Sequence, residues 1–72
     1  MNAKNELSAT LKQLRRQYRL TQEDLSIKAG VGLNFVREFE QGKPTVRMDK
    51  VAQVFALFDY HLVAIKKTKD EL

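Results

Sequence analysis

Two planar hydrogen-bonding side chains, Asn34 and Arg37, stand three residues apart, shortly after a Gly-Val-Gly sequence at positions 30 to 32. On a helix, that spacing places both side chains on one face. An Asn amide can hold adenine through paired hydrogen bonds, and an Arg guanidinium can hold guanine N7 and O6, each pairing being worth about 1–3 kcal/mol of discrimination between bases. A phosphate contact is an equally good assignment for Arg37. The chemistry available here is hydrogen bonding to nucleic acid.

The other reactive residue types do not suggest catalysis. The chain has one His, at position 61, and no Cys, and its glycine pair lacks the third glycine and the preceding strand of a dinucleotide-binding loop. Glu38 and Glu40 stand two residues apart on a predicted helix, so they face different directions and form no acid–base pair. We expect no enzyme activity, no metal and no cofactor, with His61 at a surface or an interface.

The elements that position these side chains are two short helices joined by a glycine-containing turn. Thr21 has the chemistry of an N-cap, with Asp24 as its capping-box partner, which predicts a helix over residues 22 to 29. Gly30 stands where the chain must reverse through a left-handed residue. The next helix is predicted over residues 33 to 41.

This pair of helices is the arrangement with which small proteins insert a helix into the major groove of DNA. In its second helix, Val36 and Phe39 point inward, and Phe35 is either a core residue or a wedge at the DNA surface. Glu38 either accepts from a cytosine amine or, as the better assignment, forms a salt bridge with a basic neighbour. The outer face carries Leu33, Asn34, Arg37, Glu38 and Gln41.

Two further helices flank the pair. Apolar residues recur at helical spacing from Leu7 to Tyr18 and predict a helix over residues 4 to 19. Pro44 starts a loop, and a broad apolar stripe that includes Met48 predicts a helix over residues 47 to 58.

After the last helix the apolar pattern changes to a period of two, which predicts a short strand over residues 60 to 65. A lone strand must lie on a helix or pair with the same strand of a second chain, and pairing would cover its edge. A 72-residue chain without Cys is also marginal on its own. We therefore expect a homodimer with an interface formed by Phe58, Tyr60, Leu62, Val63 and Ile65.

Basic charge brackets the central pair of helices. The net charge is +4 and the pI is near 9.6. Residues 1 to 19 carry five basic side chains against one acidic, and residues 43 to 50 carry three against one. Phosphate contacts on both sides of a groove need such a distribution, although ordinary solvated helix faces produce it as well.

One domain is expected over residues 1 to 65, with a charged, disordered tail over residues 66 to 72. No apolar run is long enough to span a membrane, and the N-terminus is too polar for a signal peptide. The final Lys-Asp-Glu-Leu, at positions 69 to 72, matches an endoplasmic reticulum retrieval signal by coincidence, because no entry signal accompanies it. We expect a cytoplasmic, nucleoid-associated bacterial protein.

The sequence Leu-Thr-Gln-Glu-Asp-Leu at positions 20 to 25, the Gly-Val-Gly sequence and the ending Phe-Glu-Gln-Gly at 39 to 42 resemble the Xre (Cro/C1-type) helix-turn-helix family, over residues 7 to 58. The resemblance implies an all-α, compact four-helix domain like that of lambda repressor, to which the C-terminal strand would add dimer pairing. The sequence at 41 to 45 and the aromatic-rich ending at 58 to 63 narrow the resemblance to HipB-like antitoxins.

The resemblance also implies residue roles. Gln22 matches the residue that opens the second helix and holds a phosphate, and Arg15 and Glu40 match a partly buried ion pair between the first and third helices. Leu33 departs from the family, which often has a polar reader there, so it can only touch a thymine methyl or a sugar. The predicted DNA contacts are Gln22, Leu33, Asn34, Arg37, Glu38, Gln41, Lys43, Arg16 and Arg19.

The function expected from these observations is a dimeric repressor that binds a palindromic operator of double-stranded DNA. As an antitoxin it would regulate its own operon and bind a HipA-like kinase toxin. The alternatives are a phage-type repressor without a toxin and a protein-interaction module that never binds DNA.

Overall fold

Four α-helices follow one another in the computed structural model, which describes residues 3–66, with side chains from residue 6 onward. They are α1 (Ala3–Gln17), α2 (Gln22–Ala29), α3 (Leu33–Glu40) and α4 (Met48–Ala56). The all-α, four-helix prediction is confirmed. None of the helices within the described range has the length and apolar character that crossing a membrane requires.

Each helix is followed by a residue with left-handed backbone. These residues are Arg19 (φ 56°), Gly30 (φ 75°), Gly42 (φ 81°) and Asp59 (φ 63°). At the end of α1, the Leu20 amide donates to the Arg15 carbonyl at 3.0 Å, which satisfies one of the carbonyls left unpaired at a helix C-terminus. The prediction that this helix reaches residue 19 was therefore wrong, because the left-handed turn ends it at Gln17.

The core is formed by buried apolar residues from all four helices. Phe39 of α3 packs its ring edge-on against Phe55 of α4, with 6.4 Å between centroids. Buried apolar residues of this core are Leu11, Leu14, Leu25, Val31, Val36, Phe39, Val51, Val54, Phe55 and Phe58. These residues form one continuous apolar cluster, in which Val36 and Phe39 anchor the short α3.

Two residues of the predicted apolar stripes lie outside this core. Tyr18 is 58% exposed and Met48 is 57% exposed. Tyr18 follows the last turn of α1, so its ring lies against Phe58 at 5.1 Å without entering the interior. Met48 is the first residue of α4.

The predicted strand over residues 60 to 65 is not supported by the single chain, in which residues 60–66 form no strand. A strand needs a backbone partner, and residues 3–66 contain no other strand. Phe58, assigned to the dimer interface, is buried in the chain's own core at 7% exposure, and Leu62, also assigned there, is partly buried against that core. Tyr60, Val63 and Ile65 remain exposed. The predicted tail lies outside the described residues, apart from Lys66.

Candidate nucleic-acid interface

The N-terminus of α2 is fixed by a complete capping box. The Asp24 amide donates to the Thr21 hydroxyl oxygen at 3.0 Å, and the Thr21 amide donates to the Asp24 carboxylate at 2.9 Å. Each satisfies an amide that the helix itself leaves unpaired. The bond from the Thr21 backbone is the main reason that the pKa of Asp24 lies below its usual value of 3.8.

The turn between α2 and α3 is built on Gly30. Its left-handed backbone (φ 75°) lets its amide and that of Val31 both reach the Ser26 carbonyl, at 2.9 and 3.1 Å. The Ser26 hydroxyl in turn donates to the Val31 carbonyl. Gly32 then serves as the N-cap of α3 without a side-chain hydrogen bond. The direction in which α3 leaves the turn is therefore set by a compact hydrogen-bonded loop.

The outer face of α3 carries the side chains predicted to read bases. Asn34, Arg37 and Glu38 are exposed, as is Gln41 just beyond the helix, whereas Leu33 is half-buried. None of the ion pairs among the described residues involves Arg37. The Arg37 guanidinium is thus available to an external acceptor.

Phe35 belongs to the margin of the core, which decides between the two roles that its sequence position left open. Its ring stacks on Phe39, with centroids 5.9 Å apart and planes 5° apart. The ammonium of Lys50, a residue of α4, lies 6.0 Å from the centroid of the Phe35 ring. A partly buried ring with these contacts is a packing residue and not a free wedge.

Glu38 pairs with a basic neighbour, the assignment favoured from the sequence. Lys43 Nζ lies 3.1 Å from the Glu38 carboxylate, and the side chains of Glu38 and Lys43 are 51% and 47% exposed. A pair this open to solvent contributes little to stability. Both side chains remain at the surface where α3 ends.

A polar hub joins α1, α2 and α3. Arg15 donates through Nε and Nη2 to the two carboxylate oxygens of Glu40, at 2.7 and 3.0 Å, and through Nη1 to the Leu20 carbonyl at 2.9 Å. The Gln22 amide donates to Glu40 Oε1 at 3.0 Å. Glu40 is almost fully buried, with 2% of its side chain exposed. The residue predicted to hold a phosphate is therefore anchored to the last turn of α3.

The comparisons with known proteins agree with this geometry. Residues 6–60 match a family described as a helix-turn-helix domain. The chain belongs to the helix-turn-helix family. Over 49 residues, 68% of the chain, it is 41% identical to an uncharacterized HTH-type transcriptional regulator, y4mF, of Sinorhizobium fredii (strain NBRC 101917 / NGR234). The match spans 64% of that protein's length. No solved structure matches the chain significantly.

In this helix-turn-helix domain, two positioning side chains were not identified from the sequence. Ser8 of α1 is buried, and its hydroxyl donates to the Phe39 carbonyl at 2.6 Å, which ties the end of α3 to α1. Gln53 of α4 donates to the Ala29 and Gly30 carbonyls. Both contacts join residues at least 23 positions apart, so helical periodicity carries no signal for either.

The basic residues around the helix-turn-helix pair differ in their surroundings. Arg16 and Arg19 are exposed at the end of α1. Arg47 instead pairs with Asp49 at 2.7 Å, and its hydrogen bond is the main cause of the lowered pKa of that carboxyl. The charge of Arg47 is partly compensated, whereas Arg16 and Arg19 form none of the ion pairs found in the described part of the chain.

Proposed function

We propose that the chain is a sequence-specific DNA-binding transcription regulator, with α3 as the helix that enters the major groove. The observation that carries the proposal is the exposed face of α3, on which Asn34 and Arg37 stand on a helix whose two ends are both fixed by hydrogen bonds. Membership of the helix-turn-helix family supports it, as does the similarity to a protein named as a transcriptional regulator.

The reading chemistry follows from the exposed groups. Asn34 pairs with adenine, Arg37 with guanine or with a phosphate, and Leu33 touches a thymine methyl. Glu38, which is held by Lys43, contributes less to base selection. Sequence preference therefore depends mainly on Asn34 and Arg37.

Phosphate contacts position the helix. Gln22 at the start of α2, together with Gln41 and Lys43 after α3, would contact the DNA backbone on either side of the groove, and Arg16 and Arg19 would add attraction from α1. All five side chains have atoms at the surface: four are exposed, and Gln22 is half-buried.

Selection from a random-sequence duplex pool tests the proposal. We expect the wild-type chain to enrich one sequence and to lose orders of magnitude in affinity between about 50 and 200 mM salt. A protein-interaction module without DNA binding would enrich no sequence and show no such salt dependence.

Arg37→Ala should weaken binding to the selected duplex by about 1–3 kcal/mol. If Arg37 reads guanine, specificity relaxes at one base pair; if it contacts a phosphate, binding weakens uniformly and the salt slope falls by about one. Lys28→Ala, which removes an exposed positive charge from α2, serves as the control for charge loss. Unchanged binding in both Arg37→Ala and Gln22→Ala would show that the reading face is wrongly assigned.

We further propose that the regulator is a homodimeric repressor on a palindromic operator. The exposed apolar side chains of Tyr60, Val63 and Ile65 support contact with a second copy, in which residues 60 to 65 would acquire the strand partner that one chain lacks. Two copies would also place two α3 helices about one DNA turn, roughly 34 Å, apart.

The narrower role is that of an antitoxin that autoregulates its operon and binds a HipA-like kinase toxin. The resemblance of positions 41 to 45 and 58 to 63 to HipB-like antitoxins supports this role. Co-expression with the product of the adjacent reading frame tests it: a kinase-like protein that co-purifies supports an antitoxin, and an unrelated neighbour such as a phage integrase favours a repressor without a toxin.

A further inference from the structure

The turn between α2 and α3 is held from outside by one side chain of α4. Gln53 Nε2 donates to the carbonyl oxygens of Ala29, at 2.7 Å, and Gly30, at 3.2 Å. Both partners only accept hydrogen bonds, so the amide nitrogen and not the amide oxygen faces the turn. The next carbonyl, that of Val31, accepts from the Ser26 hydroxyl. Three successive carbonyls of the turn are thus each fixed by a side-chain donor.

The Gln53 contact supplements the bonds centred on Ser26, which engage the Gly30 and Val31 amides and the Val31 carbonyl. The last carbonyls of a helix have no partner within it, and Gly30 and Gly32 give the backbone more conformational freedom than any other residue would. Only eight residues of α3 follow, so a small rotation in the turn redirects the whole helix.

Gln53 connects the turn to a rigid part of the molecule. Its neighbours on α4, Val51, Val54 and Phe55, are all buried, with at most 2% of each residue exposed. The Gln53 amide nitrogen would lie only 3.1 Å from a Cβ built on Gly30, which shows how closely the side chain fits the turn. The packing of α4 therefore helps to hold the geometry of the turn through this exposed amide.

We propose that Gln53 is a positioning residue for DNA recognition, which fixes the angle at which α3 presents Asn34 and Arg37. This inference rests on the proposed DNA-binding function. Without Gln53, the turn would allow a wider range of α3 angles, and restricting that range at the moment of binding lowers affinity. Sequence-specific binding should suffer more than non-specific binding, because attraction to phosphates tolerates a change of angle that base contacts do not.

The test compares Gln53→Met, which keeps the length of the side chain but has no donor, with Gln53→Lys, which restores a donor. Gln13→Met, at an exposed glutamine of α1, is the matched control. The first measurement is amide hydrogen exchange at Gly30 and Val31, which both donate to the Ser26 carbonyl, with Leu25, which donates to the Thr21 carbonyl, as the internal reference. The second is affinity for the duplex selected by the wild-type chain and for a random-sequence duplex.

In Gln53→Met we expect exchange at Gly30 and Val31 to be about threefold faster or more, with Leu25 unchanged. The ratio of specific to non-specific affinity should fall about threefold to tenfold. Gln53→Lys should restore that ratio. Its added charge strengthens binding to both duplexes equally, so the charge itself does not change the ratio. Gln13→Met should match the wild-type chain in both measurements.

Unchanged exchange in Gln53→Met would overturn the proposal, as would faster exchange with an unchanged affinity ratio. An equal fall in both affinities, matched by a fall in the free energy of unfolding, would also overturn it, because Gln53 would then be a stabilising residue only. If the wild-type chain selects no DNA sequence, the proposed function fails and the recognition role fails with it, whereas the exchange data still decide whether Gln53 holds the turn.

Discussion

Glu40 is the residue on which the contacts among three helices converge. Its buried carboxylate accepts three hydrogen bonds, two from Arg15 and one from Gln22. A buried ion pair of this kind contributes little net stability relative to apolar residues of similar volume, but removal of one partner leaves an uncompensated charge. We therefore expect the hub to specify how α1, α2 and α3 are arranged more than it stabilises the fold.

Arg15→Met should lower the free energy of unfolding by about 3 kcal/mol, because it strands the Glu40 carboxylate in the interior. The double variant Arg15→Met/Glu40→Leu should be less destabilised than the single variant, since no buried charge is then left alone. Urea denaturation of the wild-type chain and the three variants, including Glu40→Leu, completes a double-mutant cycle. Additive losses would contradict the role of Glu40 as a charge that needs its partner.

Asp24 gives the stability a dependence on pH. The Thr21 backbone amide holds the pKa of Asp24 in the folded chain below its usual value of 3.8. Stabilisation by the ionised carboxylate is therefore complete above about pH 4 and is lost as the pH falls through the lower, folded-state value. The difference in unfolding free energy between the wild-type chain and Asp24→Asn should be constant at higher pH and shrink below about pH 4. A difference that does not vary with pH would contradict this account.

At the scale of elements, the turn between α2 and α3 depends on the left-handed backbone of Gly30. Gly30 has a left-handed backbone that side chains with a Cβ adopt at a cost, and a Cβ there would also press on Gln53. Gly32, two residues later, has an ordinary backbone (φ −70°) and open space around it. The two glycines of the turn thus serve different purposes.

Gly30→Ala should destabilise the chain by about 1–2 kcal/mol, because alanine disfavours φ of +75°. Gly32→Ala should change stability by less than about 0.5 kcal/mol, since a smaller loss of chain entropy on folding offsets a poorer N-cap. Thermal or urea unfolding of both variants measures the contrast. Equal effects would mean that the left-handed backbone at Gly30 does not constrain the turn.

Features that depend on residues close together in the sequence were predicted correctly. The capping box at Thr21, the left-handed Gly30 and the inward pair Val36 and Phe39 could be read from spacing, and α2 was predicted with its observed bounds. Arg19 has no glycine-like signature, so the early end of α1 was missed. The alternation that predicted a strand over residues 60 to 65 describes which side chains share a face, and it supplies no backbone partner within one chain.

The candidate site was predictable in part for the same reason. The outward face of α3 follows from the helical period, and the pairing of Arg15 with Glu40 followed from a family resemblance. The bonds from Gln22 to Glu40, Ser8 to Phe39 and Gln53 to the turn link different helices, and no local pattern encodes them. These long-range contacts join all four helices and fix the position of α3 relative to the rest of the chain.

For the whole molecule, the decisive quantity is how much apolar surface one chain leaves uncovered. Val63 and Ile65 are 65% and 83% exposed, and they follow directly on Leu62, which packs against the core. A chain of 72 residues buries only about 60% of the surface that its unfolded form exposes. Contact between two copies along this segment would add buried apolar area to a chain whose own core is small.

Dimerisation through this segment should therefore govern both stability and DNA binding. Sedimentation should give twice the 8.3 kDa mass of one chain, with a melting temperature that rises with protein concentration. Val63→Asp and Ile65→Asp should yield monomers with weaker binding to a palindromic duplex, because a carboxylate in the interface would lose its water without gaining a partner. Ile27→Asp places the same charge at an equally exposed apolar residue of α2, 79% exposed, and should remain dimeric. A wild-type chain that is monomeric at concentrations where it binds the duplex, or an Ile27→Asp variant that dissociates as readily as Val63→Asp, would contradict assembly through residues 60 to 65.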